Sequence, residues 1–246
     1  MRRIAIASAK GGTGKTTTAV SLAHALVLAG RRVVLVDCDP KSHVGASFGI
    51  SPRPGVAALL GGGTADLIEV RAGLEVITSG GLALLEAETR LVGGPGAGTR
   101  LRQALACLPD VDYVLLDCPP GLGLLHLCAL AASDEMVLPV GADFLGLAGA
   151  HQTLASIQAL PKSGCVRPRL LGLLPTFCDG DAGNLSDFEA TLQQEFAGRV
   201  LQARVRHCQA LPAAPPRART IFEWDPLSSG AFDYVLLAEE IESLAA

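Results

Sequence analysis

Ala9-Lys10-Gly11-Gly12-Thr13-Gly14-Lys15-Thr16-Thr17 is the stretch of this 246-residue sequence whose types and spacing could do chemistry. Its glycines, Gly11, Gly12 and Gly14, let the backbone come close to an anion, because no Cβ stands in the way. The N–H groups of such a loop, and of a helix that starts in it, point at phosphates. Lys15 then reaches the β- and γ-phosphates of a nucleotide, and the Thr16 hydroxyl holds Mg²⁺. Acids follow at suitable places. Asp37-Cys38-Asp39-Pro40-Lys41 closes one apolar run, and Asp112-Tyr113-Val114-Leu115-Leu116-Asp117 is another that ends in a carboxylate. Two acids after a phosphate loop suit Mg²⁺ and an attacking water, and Asp117 has the Walker B position of an acid that reaches Mg²⁺ through water.

These residues need rigid elements behind them. Arg3–Ser8 reads as a buried strand ahead of the loop, and Thr18–Ala29 as a helix behind it, closed by Gly30. Further strands are expected at Arg32–Asp37, Leu74–Thr78, Asp112–Asp117, Glu135–Val140 and Arg169–Leu174. Asp37 and Asp39 are two apart, so both face one site only if the strand stops near Cys38, and Pro40 favours that stop. Residues 41–73, rich in Gly, Ser and Pro, read as a mobile region with short helical pieces such as Val56–Leu60. Helices are expected at Thr99–Cys107 (led by Gly94-Pro95-Gly96), Leu122–Ala131, Leu145–Leu160, Leu185–Ala197 (capped near Asn184 or Ser186) and Ala231–Leu244. Strands alternating with helices imply a three-layer α/β/α fold, a mostly parallel twisted sheet covered on both faces, in a single domain spanning 1–246.

Composition narrows the function. Hydrophobic residues make up 49 % and aromatics 4 %, so the core is built from Leu, Val, Ile and Ala. No apolar run is long enough to span a membrane, and no signal peptide precedes the first strand. The seven Cys are scattered with no C-x-x-C pair, which points to reduced thiols packed as small hydrophobes rather than to zinc or a disulfide framework. Net charge is −4, which does not mark the whole chain as a nucleic-acid binder. Five Arg and no acid nevertheless fall between Arg199 and Arg219. They could form a binding face, or stand solvated or paired with the acidic residues that follow Glu223.

Lys10-Gly11-Gly12-Thr13-Gly14-Lys15-Thr16-Thr17 resembles the deviant Walker A motif of the ParA/MinD family of partition and positioning ATPases. Asp37-Cys38-Asp39-Pro40 is similar to the family's Walker A′ motif, and Asp117-Cys118-Pro119-Pro120-Gly121-Leu122-Gly123 to its Walker B segment. Trp224-Asp225-Pro226 with Ser229-Gly230-Ala231 resembles its C-terminal signature. The likeness is greatest to the small, Soj-like ParA proteins without an N-terminal DNA-reading domain. It implies an ATPase with ATP and Mg²⁺ as cofactors, a homodimer formed with ATP, nonspecific DNA binding and a ParB-like or cargo-adaptor protein that stimulates hydrolysis. It also implies a cytoplasmic, nucleoid-associated protein that does not bind membrane.

By the same resemblance, Gly14, Lys15, Thr16 and Thr17 bind phosphate and Mg²⁺, and Lys10 acts on the partner subunit's nucleotide. Asp39 orients the water, with Asp37 and Asp117 supporting the metal shell. The sequence departs from the family pattern at Lys41, where Gln is common. It departs again at His207 and Ala210, where relatives carry DNA-binding arginines, so DNA contact falls to Arg204, Arg206, Arg217 and Arg219. The alternatives are a MinD-like membrane switch, which the acidic tail opposes, a positioner of other cargo such as a microcompartment, and a metal-cluster carrier, which needs clustered cysteines.

Overall fold

A computed structural model describes residues 1–51, 53–91, 96–108, 110–160, 167–178 and 187–244. Its strands are β1 (Arg2–Ile6), β2 (Val33–Asp37), β3 (Ile68–Arg71), β4 (Leu74–Ile77), β5 (Tyr113–Asp117), β6 (Glu135–Gly141), β7 (Arg169–Cys178) and β8 (Val205–Arg206). They form one sheet in the order β3-β4-β2-β5-β1-β6-β7-β8. All neighbours are parallel except β3 and β4. Helices α1 (Lys15–Leu28), α2 (His43–Ser47), α3 (Val56–Leu60), α4 (Leu82–Leu91), α5 (Ala97–Ala106) and α6 (Leu124–Ala132) lie in the first half. Helices α7 (Phe144–Ala159), α8 (Asp187–Glu195), α9 (Ala210–Ala213), α10 (Ile221–Trp224) and α11 (Ser229–Ser243) lie in the second.

Every residue of β2, β5 and β6 is buried, as a sheet covered on both faces requires. Strand alternation divides them between two cores. Val33 and Leu35 pack with Leu22 and Leu26 of α1 and Leu237 of α11, whereas Val34, Val36 and Leu116 pack with Leu84 of α4, Leu101 of α5 and Leu130 of α6. The helix after β1 thus lies on one face and the helix after β5 on the other. Between them the strand order reverses, and there the crevice of an open α/β sheet receives its ligand.

The expected α/β/α architecture is present, with local differences. Residues 41–73 hold α2 and β3 as well as the expected α3. β3 is a half-buried edge strand, turned back onto β4 through Gly73 at φ +81°. Its pairing comes from that hairpin, which the Gly/Ser/Pro content of the region conceals. α4 is a further helix, and β7 runs on past Leu174 to Cys178. Gly94, Pro95, Asn184, Leu185 and Ser186, expected near helix starts, lie outside the described residues.

Candidate functional site

The phosphate loop joins β1 to α1 as expected. Gly12 and Gly14 have φ of +76° and +83°, left-handed geometry that glycine adopts without strain. Gly14 is the N-cap of α1 and brings no side-chain cap, so the first-turn N–H groups remain for an anion. Three neighbours hold the loop. The Gly121 N–H donates to the Ala9 carbonyl at 2.7 Å, the Ala9 N–H donates to Thr153 Oγ1 at 2.8 Å, and Thr176 Oγ1 donates to the Thr13 carbonyl at 3.0 Å.

Lys15 is buried, and its Nζ donates to the Lys10 carbonyl at 2.9 Å. Burial lowers its pKa, with Asp117 and Asp39 pulling the other way and Lys41 adding to the lowering. An anion at the loop would relieve that cost. Beside it, Thr16 Oγ1 donates to Asp117 Oδ2 at 2.7 Å, while Asp117 Oδ1 is buried and has no hydrogen-bond partner. A buried carboxylate oxygen left over next to a threonine hydroxyl fits Mg²⁺ with its water shell. Burial, with Asp37 as a second cause, pushes the Asp117 pKa well above the usual carboxylate range.

β2 stops at Asp37, so Asp37 and Asp39 do turn toward one site. They are not equivalent there. Asp37 sits in register beside Asp117, and its two oxygens accept the Asp39 N–H at 3.1 Å and the Val44 N–H at 3.2 Å. Burial raises its pKa to about 7. Asp37 therefore builds the turn on which Asp39 stands. Asp39 is also buried, and its Oδ1 accepts the Lys41 N–H at 3.0 Å. Among the described residues, no group of three or more His, Cys, Asp or Glu could hold a metal ion alone. The site suits an ion carried in by phosphate oxygens and held by Thr16 and water.

Lys10 is engaged within its own chain: Nζ donates to Asp143 Oδ1 and Oδ2 at 2.6 and 2.5 Å. Asp143 also caps α7, its Oδ1 accepting the Gly146 N–H at 2.7 Å. Sequence reasoning missed Asp143, although a third acid just past a strand end, followed three residues on by glycine, was a readable signal. It missed as well a cavity of about 290 Å³ beside Gly12, lined by Thr176, Phe177, His207, Leu211 and Pro212. Those residues come from segments that only the fold brings together.

The four arginines expected to meet DNA divide into two pairs. Arg204 Nη1 meets Glu189 Oε1 at 2.9 Å, and Arg206 Nη2 meets Asp233 Oδ1 at 2.7 Å, both with buried carboxylates. Arg217 and Arg219 are exposed; Arg217 lies 4.2 Å from the Trp224 ring centre, and Arg219 borders a groove that includes His43.

The AAA domain family model, of ParA/MinD type, matches residues 1–170. The chain is 40 % identical over 245 residues to the chromosome-partitioning ATPase Soj of Thermus thermophilus, covering 98 % of this chain and 95 % of that protein. Among solved structures, apo McdA of Cyanthece superposes with a TM-score of 0.86 over all of both chains at 21 % identity, which shows the fold. The cobyrinic acid a,c-diamide synthase of Mycobacterium smegmatis, solved with an ATP analogue and magnesium, superposes with a TM-score of 0.82 at 31 % identity, covering 97 % of this chain and 93 % of that one. With the phosphate loop, the Thr16–Asp117 pair and the Asp39 turn all in place, the chain belongs to the ParA/MinD-type family of P-loop ATPases.

Proposed function

We propose that this chain is a partition or positioning ATPase in which ATP and Mg²⁺ join two copies face to face, and in which Lys10 of each copy acts on the other's nucleotide. The observation that carries the reading is a second lysine, Lys10, which leaves its own loop to Lys15 and whose ammonium, among the described residues, is held by one exposed carboxylate. The face around the loop supports a dimer. Leu82, Leu122, Phe144 and Phe177 are exposed; the first three follow the carboxyl ends of β4, β5 and β6, and Phe177 lies within the last two residues of β7. Large apolar side chains ringing an anion site suit contact with a second copy.

In this reading the phosphates lie on the loop and the start of α1. Lys15 swings from the Lys10 carbonyl to the β- and γ-phosphates, and Thr16 with the free oxygen of Asp117 holds Mg²⁺ and its water. Phe177, Leu211 and Pro212 receive the base in the 290 Å³ cavity. Asp39 orients a water in line with the γ-phosphorus. The partner's Lys10 neutralises charge that builds as the bond to ADP breaks. The dimer binds DNA through phosphates, with Arg217 and Arg219 as the available cations, which places it on the nucleoid. A ParB-like protein or cargo adaptor triggers hydrolysis and release. The acidic, exposed end of α11 weighs against the membrane-switch alternative, because anionic lipid would repel it.

Mixing two inactive variants tests the trans arrangement. Lys10→Ala retains Asp39, and Asp39→Ala retains Lys10, so one site of a mixed dimer has both groups. Recovery of ATP hydrolysis on mixing is the expected result. Full dimerisation and turnover by Lys10→Ala alone would refute it.

A further inference from the structure

Lysine is scarce in this chain, and its placement is not scattered. Of 20 Lys and Arg, four are lysine: Lys10, Lys15, Lys41 and Lys162. Lys162 lies outside the described residues. The other three all stand at the carboxyl ends of β1 and β2, the strands flanking β5 and its Asp117. Elsewhere among the described residues every exposed cation of this type is arginine.

The root of Lys41 is held firmly. Its N–H donates to Asp39 Oδ1 at 3.0 Å, and the Ser42 N–H donates to the Asp39 carbonyl at 2.9 Å. Ser42 has φ of +57°, and its hydroxyl is bonded to that of Ser79. The Cα of Lys41 is thus fixed one turn from the carboxylate assigned to the water. The side chain above it is exposed. Among the described residues its ammonium has no hydrogen bond or ion pair, whereas those of Lys10 and Lys15 both do. It borders a groove of about 430 Å³ shared with Asp39, Glu88, Pro119, Pro120 and His126.

A cation needed only for solubility could be arginine, as in the rest of this chain. Ammonium differs in being a compact point charge, where guanidinium is a broad planar fork. A compact point charge suits contact with a single phosphate oxygen beside Asp39 and its water. We propose that Lys41 is a γ-phosphate ligand, its ammonium meeting a terminal phosphate oxygen from the β2 side, across Asp117 from Lys15, so that it favours ATP over ADP. This rests on the ATP reading given above. The reaction is unchanged: the water oxygen bonds to the γ-phosphorus, the bridging oxygen leaves with its electron pair on ADP, and the water proton ends on phosphate.

The test compares Mg²⁺ complexes of ADP and of β,γ-imido-ATP, titrated by fluorescence into the parent, Lys41→Gln and Lys41→Arg, at protein concentrations below dimerisation. A lost charge-assisted hydrogen bond is worth about tenfold in affinity, so Lys41→Gln should weaken the ATP analogue about tenfold and ADP by less than about twofold. Retained ADP affinity shows that the variant is folded. Lys41→Arg should fall between the parent and Lys41→Gln. Equal weakening of both nucleotides, or no change in either, would overturn the proposal. A parent that bound neither nucleotide would overturn the ATP reading first, and the role of Lys41 with it.

Discussion

If Lys10 must reach the partner's nucleotide, its bond to Asp143 has to break first, and each dimer breaks two such bonds. Asp143→Asn removes the charge while an amide oxygen can still accept the Gly146 N–H, so the cap of α7 is kept. The ion pair is partly open to solvent, with side-chain exposures of 24 % for Lys10 and 55 % for Asp143. A pair of that kind contributes about 0.2–1 kcal/mol, hence about 0.4–2 kcal/mol per dimer. Asp143→Asn should therefore tighten ATP-dependent dimerisation roughly 2- to 30-fold, while lowering monomer stability by no more than the about 0.2–1 kcal/mol of the lost pair. Sedimentation equilibrium with a non-hydrolysable ATP analogue measures the constant directly. Added salt should narrow the difference between parent and variant, because screening weakens the bond that only the parent has to break. Weaker dimerisation of Asp143→Asn would show that Asp143 positions Lys10 for its partner, and the idea of a restraint would be wrong.

Two further outcomes are expected. His126 is fully buried, its Nε2 3.4 Å from Ser156 Oγ, and burial pushes its pKa from 6.5 down to about 4. The folded chain thus takes up this proton later than the unfolded chain. The stability tied to neutral His126 is complete above about pH 6.5 and fades as pH falls toward 4, by about 3 kcal/mol. Urea unfolding across that range should show a shallower acid loss for His126→Gln than for the parent, and parallel curves would refute the reasoning. Arg206→Ala should destabilise the fold by about 3–5 kcal/mol, because it leaves the Asp233 carboxylate buried without its cation. Arg219→Ala should cost less than about 0.5 kcal/mol, and comparable melting losses in the two variants would contradict the division of these arginines into structural and exposed pairs.

Much of the site was legible because its residues are close in sequence and each needs only its own strand end. The loop, the Asp39 turn and Asp117 follow β1, β2 and β5, and an apolar run closed by Asp or by glycines marks each place. Pro40 even indicated that β2 must stop in time for both acids to turn inward. What could not be read is what distant segments do to one another. Arg206 meets Asp233 27 residues away, and Lys10 meets Asp143 across 133. Composition alone made the Arg199–Arg219 segment a candidate DNA face; the fold commits two of its arginines to carboxylates that no local pattern selects. β8 has two residues and no periodicity to read, and it exists because β7 offers it an edge.

The closeness of α7 to the phosphate loop has a consequence for sequence drift. A Cβ at Gly149 would lie 2.9 Å from the Cβ of Lys10, a backbone-proximal atom that cannot swing aside. Position 149 is thus closed even to alanine while the Ala9–Thr153 bond holds helix and loop together. Any lineage that enlarges residue 149 must move α7, and with it the Asp143 cap and the resting place of Lys10. The helix can therefore vary freely on its outer side, while its inner side changes only in step with the loop.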